Sequence, residues 1–169
     1  GKTFLVNAYS NNNFHNIYSE KKVQTIWLYM NSTLSWLIQQ LVMRANLGEG
    51  AGKIETYDLA AFPVPDIDLE KITIDLGETR GFKEELGSLE NLKTVNPERL
   101  KLDSAILEAI GYRSKKEREI VLLDLYRATY QLINSRRLKA QSLKGLKIQR
   151  NKVEFSVYVE QLKDILIEH

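Results

Sequence analysis

The chain has 169 residues, 43% hydrophobic and 27% charged, which suits one globular domain, or a domain with a helical appendage, and allows a substantial core. A formal charge of +2 gives no whole-molecule field that announces nucleic acid, so any basic surface has to be local. The lack of cysteine excludes disulfides and thiolate zinc sites and agrees with a reducing cytoplasm, and with only His15 and His169 a histidine-rich metal site is disfavoured.

Thr3 to Tyr9 is a strand candidate, with Phe4, Leu5 and Val6 at its centre. The run Asn11 to His15 follows as a turn or loop. Asparagine can pair bidentately with adenine and histidine can donate to phosphate, although a solvated turn is the commoner role for such residues. Ser19 is placed to cap a helix with Glu20 in its first turn. That helix is expected from about Val23 to Arg44, because Val23, Ile26, Trp27, Met30, Leu34, Leu37, Ile38 and Leu41 recur at helical spacing.

Arg44 stands at the expected negative end of this helix, where a cap or ion pair and a backbone-phosphate contact are equally good uses. Gly48, Gly50 and Gly52 follow a helix rather than a strand, which argues against a phosphate cradle and for a tight reversal. Lys53 to Leu59 carries Ile54, Tyr57 and Leu59 in a pattern open to a short strand. Phe62-Pro63-Val64-Pro65 cannot be helical, because each proline pushes its predecessor towards an extended conformation.

These residues resemble the C-terminal, target-recognition part of adenine-specific DNA methyltransferases of restriction-modification systems. The resemblance rests on Asn31-Ser32-Thr33-Leu34 in an apolar helix, Arg44, Leu47-Gly48-Glu49-Gly50, Tyr57-Asp58-Leu59 and Phe62-Pro63-Val64-Pro65-Asp66. A second match lies at Leu102-Asp103-Ser104-Ala105-Ile106-Leu107-Glu108-Ala109-Ile110-Gly111, followed by a long helix to Arg137-Leu138-Lys139-Ala140, and is similar to the helical tail of the same enzymes.

Beyond Asp66 the periodicity weakens. Asp66, Asp68 and Glu70 alternate without the remaining ligands of a calcium loop, and Leu69, Ile72, Ile74 and Leu76 alternate as a short strand would. Asn96-Pro97 is a helix-start pair, although Asp103 is an equally good cap for a separate helix. Ser114-Lys115-Lys116-Glu117 is a capping box for a helix reaching at least Ala140, with Gly145 expected to interrupt it and a closing helix expected from Val153 to Ile167. Arg136, Arg137, Lys139, Lys144, Lys147, Arg150 and Lys152 fall in a stretch without a single acid. More positive charge stands there than one helix terminus uses, so DNA-backbone contact is favoured over a solvated face.

The expected class is α+β: a small mixed N-terminal part around one long apolar helix (residues 1–66), a connecting region (67–96) and an antiparallel helical C-terminal part (97–169). The resemblance implies a non-catalytic DNA target-recognition portion that contacts double-stranded DNA and adjoins a catalytic methyltransferase domain in the same polypeptide. Candidate DNA-contact residues are Asn12, Asn13, His15, Arg44, Lys53, Arg136, Arg137, Lys139, Lys144, Lys147 and Arg150. Family members use S-adenosylmethionine and an Asn-Pro-Pro-aromatic tetrapeptide. Here Asn96-Pro97 is followed by Glu98-Arg99 and the glycine-rich cofactor motif is missing, so no catalytic, cofactor or metal residue is assigned and no cofactor is expected in this chain. A chain opening at Gly1-Lys2 fits a piece of a longer protein. The alternatives are a recognition domain of a type I restriction specificity subunit and a helical protein-protein module. Neither a leader nor an apolar run of about twenty residues is present, so the expected setting is cytoplasmic, away from membranes.

Overall fold

The computed structural model describes residues 17–19, 22–42, 44–45, 52–53, 56–76 and 82–150. The strand expected at Thr3–Tyr9, the loop Asn11–His15, Gly48, Gly50 and the closing helix Val153–Ile167 lie outside the described residues. Within them the chain is helical, which corrects the expected α+β class. The helices are α1 (Val23–Met30), α2 (Thr33–Val42), α3 (Thr56–Ala60), α4 (Phe82–Leu86), α5 (Pro97–Ala109) and α6 (Lys115–Arg150), with a 3-10 turn at Leu92–Thr94. Among the described residues the one β pairing joins β1 (Arg44–Ala45) to β2 (Gly52–Lys53), antiparallel, with Arg44 opposite Lys53 and Ala45 opposite Gly52. Two residues a side cannot bury a face, so this is a clip that reverses the chain and not a layer.

The remaining strand expectations fail for an identifiable reason. Residues 67–76 form an irregular strap, with a turn at Glu70–Lys71 closed by Ile72 N on the Leu69 carbonyl at 3.0 Å, whose apolar side chains reach the core, with Ile67, Leu69 and Ile74 buried. Its backbone groups are satisfied by side chains instead of a ladder. Leu69 N donates to Thr25 Oγ1 at 2.9 Å, Gln24 Nε2 donates to the Ile72 carbonyl at 2.8 Å, Lys101 Nζ to the Thr73 carbonyl at 2.8 Å, and Asp75 N to Glu98 Oε2 at 3.1 Å. Alternation therefore marked burial without marking a sheet. Likewise Thr56–Ala60, expected as part of an extended segment, makes a helical turn.

The helix expected from Val23 to Arg44 is two helices, broken at Asn31-Ser32. Ser19 does not cap it. Lys22 occupies that position with φ 57°, held by an ion pair with Asp66, and the first-turn amide of Thr25 is taken by Glu70 Oε1 of the strap at 3.2 Å. The Lys22 ammonium beside Asp66 holds that carboxyl below its ordinary range.

The second half follows its local signals more closely. Asn96 accepts from the amides of Glu98 (2.9 Å) and Arg99 (3.2 Å), with Pro97 in the first turn, so the expected cap is present. The helix runs through Asp103 without a second start. Ser114 Oγ accepts from Glu117 N at 3.4 Å, and α6 continues through Gly145 to Arg150, correcting the expected interruption. One interior glycine costs about 1 kcal/mol, which a helix of 36 residues absorbs.

Two apolar clusters hold these elements. One joins Leu28, Tyr29 and Met30 of α1 to Phe62, the strap, and Leu102 and Ile106 of α5; Tyr29 and Phe62 meet as tilted rings, 6.4 Å between centroids. The other gathers Leu86, Val95, Leu107, Leu122, Leu125 and Tyr126 from α4, the 3-10 turn's end, α5 and α6. Each fully buried leucine contributes about 1.5–3 kcal/mol. The first cluster draws on all three segments separated by the sequence pattern. No described helix is long and apolar enough to cross a membrane.

Candidate functional site

The break between α1 and α2 is built from the residues that the first sequence match rests on. Asn31 ends α1 by turning its Nδ2 back to the Trp27 carbonyl at 2.9 Å, and Ser32 N donates to the Tyr29 carbonyl at 2.9 Å. Ser32 Oγ then accepts from Ser35 N at 3.1 Å, which starts α2. The exposed donors of that start are met by a side chain from the second match. Thr33 N donates to Asp103 Oδ1 at 2.8 Å and the Thr33 hydroxyl to Asp103 Oδ2 at 2.6 Å. A carboxylate thus sits on the positive end of α2.

One turn earlier on α5, Arg99 serves the other side of the break. Its Nη1 donates to the Asn31 carbonyl, its Nε (2.9 Å) and Nη2 (2.6 Å) both reach Glu85 Oε2 of α4, and its guanidinium lies 4.1 Å from the centroid of a Trp36 ring. Arg99 and Asp103 are each 2% exposed and Glu85 5%. Glu85 is therefore paired with the guanidinium in a water-poor interior, and the Asp103 carboxylate is close enough to feel the same charge. Burial pushes the Asp103 carboxyl above its usual range, against the opposing pull of Arg99 and of the Thr33 donors. Tyr126 of α6 faces the same carboxylate, and its phenol is pushed up by burial and then by the Asp103 charge.

A cavity beside Arg99, bounded by Asp75, Leu76, Glu85, Asn96 and Glu98, measures about 10 Å³, room for a single water. Among the described residues no group of three metal-ligating side chains converges. What the arrangement does is join three helix ends: the carboxyl end of α1, the amino end of α2 and the loop-borne α4, all through α5.

The candidate DNA contacts lie elsewhere. Asn12, Asn13 and His15 are outside the described residues. Arg44 and Lys53 are register partners in the β clip. Arg137 and Lys139 are exposed on α6, whereas Arg136 is half-buried and its Nη2 donates to the Gln40 carbonyl in the last turn of α2. That carbonyl is one of the four that a helix end leaves without an internal donor. Positions 144, 147 and 150 belong to the same helix.

Arg99, Glu85 and the buried role of Asp103 were not anticipated. A signal was present for two of them: the buried positions of α5 are Arg99, Leu102, Asp103, Ile106 and Leu107, an i, i+3, i+4, i+7, i+8 stripe with charged residues at two of its five places. Charges inside an apolar stripe are buried and partnered. Comparisons of the chain with protein-family models, curated proteins and solved structures found no match.

Proposed function

We propose that the chain is a non-catalytic DNA target-recognition portion of an adenine-specific methyltransferase of a restriction-modification system, which contacts duplex DNA through its basic positions and relies on a separate domain for S-adenosylmethionine and catalysis. One observation supports this role above the others. The two stretches that carry the resemblance, separated by about 70 residues of chain, meet in one buried junction through the two Thr33–Asp103 hydrogen bonds. Matches that were unrelated accidents of composition have no reason to interlock. The resembling residues here serve the architecture, and the DNA contacts fall to the basic stretch of α6 from Arg137 onward and to the clip carrying Arg44 and Lys53.

Affinity of the full chain for a short mixed-sequence duplex, measured across a salt series, tests this. Saturable binding is expected, with a dissociation constant of about 10⁻⁴–10⁻⁶ M at physiological salt and a linear fall of log affinity with log salt. Calorimetry with S-adenosylmethionine should give no saturable heat. A duplex that fails to bind at low salt rejects the role, and cofactor binding rejects the assignment of this chain as recognition portion alone.

A second role, a helical protein-protein module, is favoured by the helical class and by the exposure of Leu41 (66%) on α2 and Leu138 (57%) on α6. It predicts no salt-dependent duplex binding.

A further inference from the structure

Arg136 opens the acid-free basic tract, and its environment differs from that of its neighbours. Arg137 and Lys139 are exposed, while Arg136 is half-buried with its guanidinium on the Gln40 carbonyl. A cation at a helix carboxyl terminus satisfies an orphan carbonyl and the negative end of the dipole together. A guanidinium spent in that way is poorly placed to bind phosphate.

The backbone gives this contact a larger consequence. Helix α2 begins at the Asp103 carboxylate, which Tyr126 of α6 faces, and ends at Arg136, farther along α6. The two helices therefore run side by side in the same direction, and α6 continues past the end of α2 to Arg150, a further ~21 Å at 1.5 Å per residue. At about 100° per residue, positions 144, 147 and 150 fall within ~80° of position 136 around the α6 axis. Positions 147 and 150, within ~40°, thus share the face of the helix backbone that carries position 136. The chain leaving α2 at Val42 enters β1 at Arg44, whose register partner is Lys53. Four residues of chain from Gln40 put the Arg44 Cα within about 14 Å, and Lys53 about 5 Å from it.

We infer that Arg136 is a positioning residue: by fastening α6 to the last turn of α2 it holds the α6 basic tract beside the clip carrying Arg44 and Lys53, so that the two basic segments form one face for a DNA backbone. The brace stands on geometry alone, whereas the DNA face rests on the function proposed above. Two segments held in register engage one duplex with a raised effective concentration, and this advantage disappears when they move independently.

A double-mutant cycle in the full chain separates the possibilities. Affinity for a short mixed-sequence duplex is measured for the parent, Arg136→Met, Lys53→Gln and the double variant, together with amide hydrogen exchange. Each single change is expected to weaken binding several-fold, with the double variant no weaker than the worse single one, because Lys53 no longer acts with the α6 tract once the brace is gone. Exchange should accelerate at Leu41, Val42 and the clip amides in Arg136→Met, with the protection of α5 unchanged. Effects that multiply, or a Lys53→Gln variant with parental affinity, overturn the joint face. If the parent binds no duplex, the DNA role fails and the exchange data still judge the brace: unchanged protection around Leu41 and Val42 overturns it.

Discussion

The junction around Asp103 and the basic stretch in the second half of α6 both concentrate charge, and they use it in opposite ways. At the junction, Arg99, Glu85 and Asp103 are withdrawn from water and every charge is committed to a named partner in another element. In the second half of α6, Arg137 and Lys139 face solvent, whereas Arg136 is tied to α2. The difference teaches that charge density in the sequence does not locate function. A buried charge fixes where helices stop and start, because leaving it unpartnered costs several kcal/mol. An exposed run of one sign costs the fold little and is available to an outside polyanion.

If the contrast holds, the two regions should respond differently to the loss of one charge. The largest effect belongs to Arg99→Met, which removes the partner of Glu85, the donor to the Asn31 carbonyl and the cation facing Asp103. Breaking a buried pair in this way is expected to destabilise by about 3–5 kcal/mol. Denaturant unfolding measures it, and a loss under about 1 kcal/mol would show the junction to be dispensable.

Asp103 sharpens the same point through pH. Its native carboxyl is raised above the ordinary value of about 3.9 by burial, so the folded state holds that proton more tightly than the unfolded chain does. The associated stability is fully present below the unfolded value and is lost as pH rises through the raised native one. The lowered carboxyl of Asp66 works the other way, losing stability as pH falls, but it is shared by parent and variant and cancels in their difference. The stability of the parent minus that of Asp103→Asn should therefore shrink as pH rises from about 4 towards neutrality. Growth of that difference over the same range would mean that the Thr33 donors and Arg99 outweigh burial.

A smaller change is expected at the cap that presents both charges. Asn96→Ala removes the acceptor for the amides of Glu98 and Arg99 at the start of α5 and should cost about 1 kcal/mol. Because Arg99 lies within the first turn, a loss well beyond about 2 kcal/mol would indicate that the cap also positions its guanidinium.

Local chemistry in the sequence was legible where one residue decides the outcome. Asn96-Pro97 starts α5, Ser114 starts α6, and Phe62 to Pro65 lies outside any helix. What could not be read depends on partners remote in the chain. The break at Asn31-Ser32 sits inside an apolar run that propensity alone would keep helical; it is held open by Arg99 and Asp103, about 70 residues away. The alternation from Leu69 to Leu76 reported burial correctly, yet the strand expectation failed because Thr25, Gln24, Lys101 and Glu98 satisfy the backbone of that segment. At the candidate site, the exposure of Arg137 and Lys139 agrees with a run of like charge, whereas the brace at Arg136 required knowing that α2 stops beside it.

The most direct test compares stability and DNA affinity in one variant, Arg137→Gln/Lys139→Gln. These side chains are exposed, so the melting temperature should stay at the parental value. Duplex affinity should fall alike for all sequences, and the slope of log affinity against log salt should decrease in magnitude by about two, one for each phosphate that the variant leaves without a cation. An unchanged affinity and slope with an intact fold would contradict the account, leaving the basic end of α6 as a solvated face or a protein-binding surface.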